Sequence, residues 1–355
     1  MTTQESAPRH RYPPSRSDQA RTGGRVIALV AWLGFLGLFV AVGRTQVDPR
    51  VANPNVEGRP PRPVEFLNGW DHWQLVPQIG AAIMVAVLTI VFIRGWRRNP
   101  PGSPVLLMVL CTTLIVWQDP IMNWSPYAVY NPMLLHWPES WYLIMMSPTV
   151  EPFIVFGYVT FYFGPYFPAI WILRKLQAKY GPESFVTRHP LISLGGLVLM
   201  IGFIFDASWR SAWSAPGCIS TLRRSRSEHC SRAPPSSSPL LWESLSVTFV
   251  MIPAAILVYR DDTGKSVAEK LAAKAKLFPP TKPVLGTFLV MFAIINVSYF
   301  AYGGWFWVIK ASGAATSVAC PWPYPEAKVY DPQGNYEKAG AQGPFSVGKW
   351  STWQQ

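Results

Sequence analysis

Seven blocks of apolar residues, at about 26–42, 76–94, 104–118, 152–173, 191–206, 240–258 and 284–309, limit what this chain can fold into more than anything else in it. A bilayer core needs about 20 mostly apolar residues per helix, with a usable range of roughly 17 to 25, and each block approaches that length. Inside the blocks the apolar residues run on without the alternation of a strand or the one-sided spacing of a surface helix. The expected fold is therefore all-α, a polytopic membrane helix bundle of about seven transmembrane helices. Two blocks strain the count, because 104–118 is short and 152–173 carries Pro165 and Pro168.

Composition agrees. Of 355 residues, 50% are hydrophobic and only 14% charged, with 17 Trp, 19 Phe and 14 Tyr, which is too apolar and aromatic for an ordinary soluble domain. The formal charge of +12 does not point to nucleic acid, since the basic residues lie beside the apolar blocks and form no base-reading module. They mark orientation instead. Arg9, Arg11, Arg16, Arg21 and Arg25 precede the first block; Arg94, Arg97 and Arg98 follow the second; Arg174, Lys175, Lys179 and Arg188 follow the fourth. Arg260, Lys265, Lys270, Lys274, Lys276 and Lys282 follow the sixth, and the stretch 119–150 has no Lys or Arg. With seven alternating helices all these basic loops fall on one side, which puts the N-terminus in the cytoplasm and the C-terminus outside a plasma membrane.

The expected organisation is a disordered basic tail over 1–25, a transmembrane domain over 26–309 and an extracytoplasmic tail over 310–355. Ala41 and Gly43 would suit a signal-peptide cleavage site, but the first block is longer than the usual 7 to 15 residues of such a segment, so an uncleaved anchor is preferred. The cysteines offer neither metal-ligand spacing nor a disulfide framework.

Residues 207–238, "ASWRSAWSAPGCISTLRRSRSEHCSRAPPSSS", break the pattern. Ten of the 32 are Ser and five are Arg, on a side where Arg is disfavoured. Two readings stand: a polar disordered linker, or G+C-rich coding DNA translated one base out of phase, with membrane-like text resuming at "PLLWESLSVTF". The second is preferred, and resequencing the gene decides it.

Four acidic residues come out at the outer end of the expected bundle: Asp119 ends the third helix, Glu151 begins the fourth, Asp206 ends the fifth and Glu243 begins the sixth. Ionisable groups near a membrane core are costly and usually face the bundle interior. Crowded carboxylates in a partly dry site repel, so at least one holds its proton and can act as an acid while an ionised neighbour acts as base. Each alone has a plainer explanation as a helix terminator or cap; their convergence favours a site. In "WQDPIMNWSPYAVYNPMLLHWPESW", Asn123 stands at i+4 from Asp119, so whether the turn stays helical past Pro120 or Pro120 is the second residue of a new helix, where its missing N–H is no loss, the amide can orient the carboxylate. An aromatic belt explains most of the Trp and Tyr in that stretch, but not Asn123, Asn131 and His136. In "YRDDTGKSVAEKL", Ser266 and Glu269 have capping-box spacing and open a short basic helix suited to anionic lipid headgroups. Asp261 and Asp262 lack further ligands nearby for a metal.

"WQDPIMNW", "YNPMLLHWPESW", "YRDDTGKSVAEKL" and the tail "CPWPYPEAKVYDPQGNYEKAGAQGPFSVGKWSTWQ" resemble the spirocyclase AveC-like family of actinobacterial membrane proteins, from about residue 70 to the C-terminus. The resemblance implies ring closure with water loss on a polyketide or lipid-like hydroxy-ketone, without a metal or redox cofactor. It also implies an acidic, aromatic, Gly-rich sequence where 207–238 departs. The expected acid/base pair is Asp119 and Glu243, with Glu151 and Asp206 as alternates. Asn123, Asn131, Tyr130 and His136 are expected to hold substrate by hydrogen bonds, and Trp124 and Trp141 to shape an apolar pocket. Expected partners are an apolar small molecule and membrane lipids, with no nucleic acid. The competing reading is a non-catalytic protein that binds or moves a lipid or polyketide; a heptahelical photoreceptor is disfavoured, because the last block has no Lys before Lys310.

Overall fold

The computed structural model describes residues 16–45, 72, 74–98, 102–123, 128–130, 133–138, 141–147, 150–157, 164–214, 219–221, 224–225, 240–276, 282–311 and 315–316. The chain divides into two compact units, Met1–Ala41 and Val42–Gln355. Helix α1 (Arg16–Val42) makes up the described part of the first, and it begins well before the apolar block, inside the part expected to be disordered.

The second unit is helical for the reason lipid imposes: with no water to satisfy it, backbone must bond within its own segment. Helix α2 (Leu75–Arg98) is followed by α3 (Pro104–Leu114), a 3-10 turn at Ile115–Gln118 and the single turn α4 (Asp119–Met122). Short 3-10 turns lie at Ile144–Met146 and Phe153–Phe156. Then come α5 (Tyr166–Tyr180), α6 (Phe185–Arg188), α7 (Pro190–Ser214), α8 (Leu240–Val258), α9 (Val267–Ala275) and α10 (Pro283–Ala311). Strands are minor: β1 (Ala128–Tyr130) pairs antiparallel with β2 (Ile219–Thr221), and β3 (Arg224–Ser225) with β4 (Ala315–Thr316).

Among the described residues four helices are long and apolar enough to cross a membrane: Leu75–Gly95, Pro104–Met122, Pro190–Ser208 and Pro283–Trp305. The apolar runs Leu29–Val42 and Ser244–Val258 are shorter. The expected fourth helix over 152–173 is not continuous. Its start is an extended Pro152, a 3-10 turn and a helical Gly157, residues 158–163 lie outside the described residues, and a turn at residues 164–165 precedes the helix that starts at Tyr166. A proline lacks the N–H that a helix interior needs, which is why the break falls there.

Helix α8 is the hub. Val250, Met251, Ala254, Ala255, Leu257 and Val258 are buried on it, packed with Leu194 and Val198 of α7, Leu107, Met108 and Cys111 of α3, and Met291 and Ile295 of α10. Apolar burial alone is a weak glue where the surroundings are equally apolar, so close packing and polar contacts decide the arrangement. Helices α7 and α8 run antiparallel, with Gly195 opposite Ile252 and Gly202 opposite Thr248. At the second crossing a side chain on Gly202 would meet Thr248 Cγ2 at 2.6 Å, so only glycine admits that approach.

Helices α3 and α10 run parallel. Gly102 abuts Val284 at one end, Cys111 Sγ donates to the Phe288 carbonyl at 3.9 Å midway, and Gln118 Nε2 donates to Asn296 Oδ1 at 2.5 Å toward the other. The molecule thus has two distinct ends. The ends of α2, α5 and α8 and the beginnings of α3, α7 and α10 carry Arg94, Lys175, Lys179, Arg188, Lys270 and Lys282; the opposite end carries Asp119.

The "RDDTGKS" turn is built as a structural cap. Ser266 Oγ accepts from Glu269 N at 3.1 Å, and Glu269 Oε2 accepts from Ser266 N at 2.6 Å, a complete capping box opening α9. Lys270 pairs with Asp261, whose exposed carboxyl is lowered to about 2 by that contact and by Thr263. Arg174 donates to the Arg260 carbonyl and lies over the Tyr259 ring, tying α5 to the turn. Asp261 is occupied in holding this turn.

Candidate functional site

The 3-10 turn before Asp119 tightens the helix, and Pro120 falls in the first turn of α4, where a missing N–H is no loss. The backbone stays helical, Asn123 N donating to the Asp119 carbonyl at 2.9 Å, so both side chains share one face. Asp119 is 1% exposed and Asn123 5%.

Asn123 Nδ2 donates to Asp119 Oδ2 at 3.1 Å and to Glu151 Oε2 at 3.2 Å. One amide therefore bridges two buried carboxyl groups from different parts of the chain. The other Asp119 oxygen accepts from Tyr299 Oη at 2.7 Å, from α10. Glu151 is 1% exposed; burial first, and then the charge of Asp119 beside it, push its carboxyl well above the usual range. Two carboxylates this close in a dry place do not both ionise. Burial and the charge of Asp119 raise Glu151, and Tyr299 donates to Asp119 beside the Asn123 amide that the two carboxyls share, so Glu151 is the member of the pair that holds the proton.

Glu151 is brought there by backbone pairing. Trp137 N donates to the Glu151 carbonyl at 3.1 Å, and Phe153 N to the Leu135 carbonyl at 2.8 Å, so 135–137 and 151–153 form a short antiparallel ladder. Leu135 N is held by Gln78 Oε1 of α2 at 2.9 Å, and His136 exchanges two backbone bonds of 2.9 Å with Arg44. The His136 ring is fully buried with Nδ1 2.5 Å from the Leu134 carbonyl; a carbonyl cannot donate, so Nδ1 carries the proton. His136 thus braces the loop. Before the ladder, Leu143 sits at φ 72°, ψ −49°, a strained γ-turn conformation for a side chain of that size.

Of the other residues expected in the site, Tyr130 is buried in β1, and Trp141, 40% exposed, packs at a tilt against Trp137 with ring centroids 5.6 Å apart. Asp206, 1% exposed, lies on α7 one turn beyond Gly202. Glu243 lies in the first turn of α8, but its side chain, like Trp124 and Asn131, lies outside the described residues. The backbone positions of Asp119, Asp206 and Glu243 fall at the end of the bundle opposite the basic turns.

Sequence reasoning passed over the α10 face that supports the site. Asn296 and Tyr299 are three residues apart: Tyr299 holds Asp119, while Asn296 Oδ1 accepts from Gln118 Nε2 and, at 3.0 Å, from Trp117 Nε1. Tyr302 stacks on Tyr299 at 5.9 Å. Asn296 was legible as a polar residue inside an apolar span, the kind that marks an interior-facing contact. The group that can hold and exchange a proton is thus Asp119, Glu151, Asn123 and Tyr299. Among the described residues no cluster of three or more His, Cys, Asp or Glu has the arrangement of a metal site.

The model of one protein family, "Spirocyclase AveC-like", matches residues 96–330, more than half of the chain. The chain belongs to the spirocyclase AveC-like family. That match takes in Asp119, Asn123, Glu151 and Tyr299 and ends at residue 330, short of most of the C-terminal tail whose resemblance was expected. No curated protein and no solved structure matches the chain.

Proposed function

We propose that this protein is a membrane-embedded spirocyclase or dehydratase that closes rings on an apolar hydroxy-ketone, a polyketide or lipid-like molecule, by acid/base catalysis at Asp119 and Glu151. The observation that carries the reading is the Asn123 amide bridging those two buried carboxyl groups, with Tyr299 donating to the Asp119 one. Membership of the family supplies the reaction class.

The proton count closes over the cycle. The attacking hydroxyl gives its proton to Asp119 while the ketone oxygen takes the Glu151 proton, forming the hemiketal and leaving one proton on the pair. That proton goes to the hemiketal hydroxyl, which departs as water. The oxocarbenium ion then faces two carboxylates, which stabilise it. Attack by the second hydroxyl closes the other ring and returns one proton to the pair, so the net change is loss of one water. Positioned acid/base groups of this kind contribute about 10²–10⁴-fold each.

Glu243 and Asp206, at the same end of the bundle, remain candidates for contacts with substrate. The test is incubation of the purified protein in liposomes with a dihydroxy-ketone, following water loss by mass spectrometry. Conversion is expected with the native chain and a fall of about 100-fold or more with Glu151→Gln. Saturable binding without conversion by the native chain would replace catalysis with a carrier role.

A further inference from the structure

An apolar groove of about 480 Å³ lies open on the seam between α3 and the start of α10, at the end of the molecule opposite Asp119. Leu107 and Leu110 form one wall, Val284, Leu285 and Phe288 the other, and Lys282 stands at its head. The volume is in the range of about 300–1,000 Å³ typical of small-molecule sites. Both walls belong to helices of membrane-crossing length, so the molecules that meet this surface are lipids. Leu114 and Trp117, both exposed, continue the Leu110 side of the groove along α3 for about 10 Å. A lysine at the end of an apolar channel, placed where a helix leaves the membrane-length segment, attracts negative charge at headgroup level. The same end of the molecule is basic, with Lys274 and Lys276 at the end of α9, which packs on α10.

We propose that this groove binds one anionic phospholipid, an acyl chain lying between Leu110 and Phe288 and the phosphate at the Lys282 ammonium. The groove is remote from the carboxyl pair, and the inference does not depend on the reaction assigned there. Native mass spectrometry of the purified full-length protein, titrated separately with phosphatidylglycerol and phosphatidylcholine, tests it. The native chain is expected to retain phosphatidylglycerol several-fold better than phosphatidylcholine. Lys282→Gln removes that preference, Lys282→Arg keeps it, and Leu110→Trp, at a partly exposed position that does not disturb the core, weakens retention of both lipids. Equal retention of the two lipids by the native chain overturns the proposal. So does undiminished phosphatidylglycerol on both Lys282→Gln and Leu110→Trp, or a second copy of the chain occupying the face in place of lipid.

Discussion

At the residue scale the site is a matter of donors counted against acceptors. Tyr299→Phe removes an O–H from a buried carboxylate, an interaction worth about 1.5–3 kcal/mol, and should lower both thermal stability in detergent and turnover without changing the fold seen by circular dichroism. Asn123→Ala strips a donor from both carboxyls at once and should destabilise by about 1–3 kcal/mol, more than Asn123→Gln if the longer amide still reaches. The pH dependence follows from Glu151. Its carboxyl is raised in the fold above its ordinary 4.5, so the folded state prefers the protonated form. The stability it contributes is complete below about 4.5 and is lost as pH rises through the raised value. The difference in unfolding temperature between the native chain and Glu151→Gln should therefore move in favour of the native chain as pH falls from neutral, and level off near 4.5; a difference independent of pH would mean that Glu151 is ordinary. The i, i+4 relation of Asp119 and Asn123 was readable from spacing alone, because helical geometry fixes it. The contact with Glu151 was not, since it depends on backbone pairing of 135–137 with 151–153, which has no periodic signature in the sequence.

At the element scale the crossing of α7 and α8 is set by one missing side chain. Gly202→Val would drive a branched side chain into Thr248 and should cost about 1–3 kcal/mol in thermal unfolding; Thr248→Ala in the same chain should recover part of it, because the atom first met is Thr248 Cγ2. Equal losses with and without Thr248→Ala would place the strain elsewhere. Six of the seven apolar blocks lie in helical segments, four of them of membrane-crossing length among the described residues, because uninterrupted apolar length is a strong signal. The block at 152–173 has a break at Pro165, and its prolines were the local warning: Pro152 is extended ahead of a 3-10 turn and Pro165 precedes the first residue of α5. In 207–238 the first residues continue α7 to Ser214, and Ile219–Thr221 pairs with Ala128–Tyr130, arrangements that its Ser- and Arg-rich composition did not suggest.

At the scale of the whole molecule, Arg94, Lys175, Lys179, Lys270, Lys274 and Lys282 gather at the end opposite the carboxyl pair, while Arg44 and Arg210 share the end of the pair. If the basic end faces the cytoplasm, single cysteines introduced at Lys270 and at Met133 in intact cells should differ, with a membrane-impermeant reagent labelling only the second. The shared proton is the centre of the account, and infrared difference spectroscopy of the purified protein in liposomes observes it directly through the C=O stretch of a protonated carboxylic acid. At neutral pH the native chain is expected to show that band, shifted on exchange into heavy water and absent in Glu151→Gln. A native spectrum with no protonated carboxyl, or a band untouched by Glu151→Gln, would contradict it.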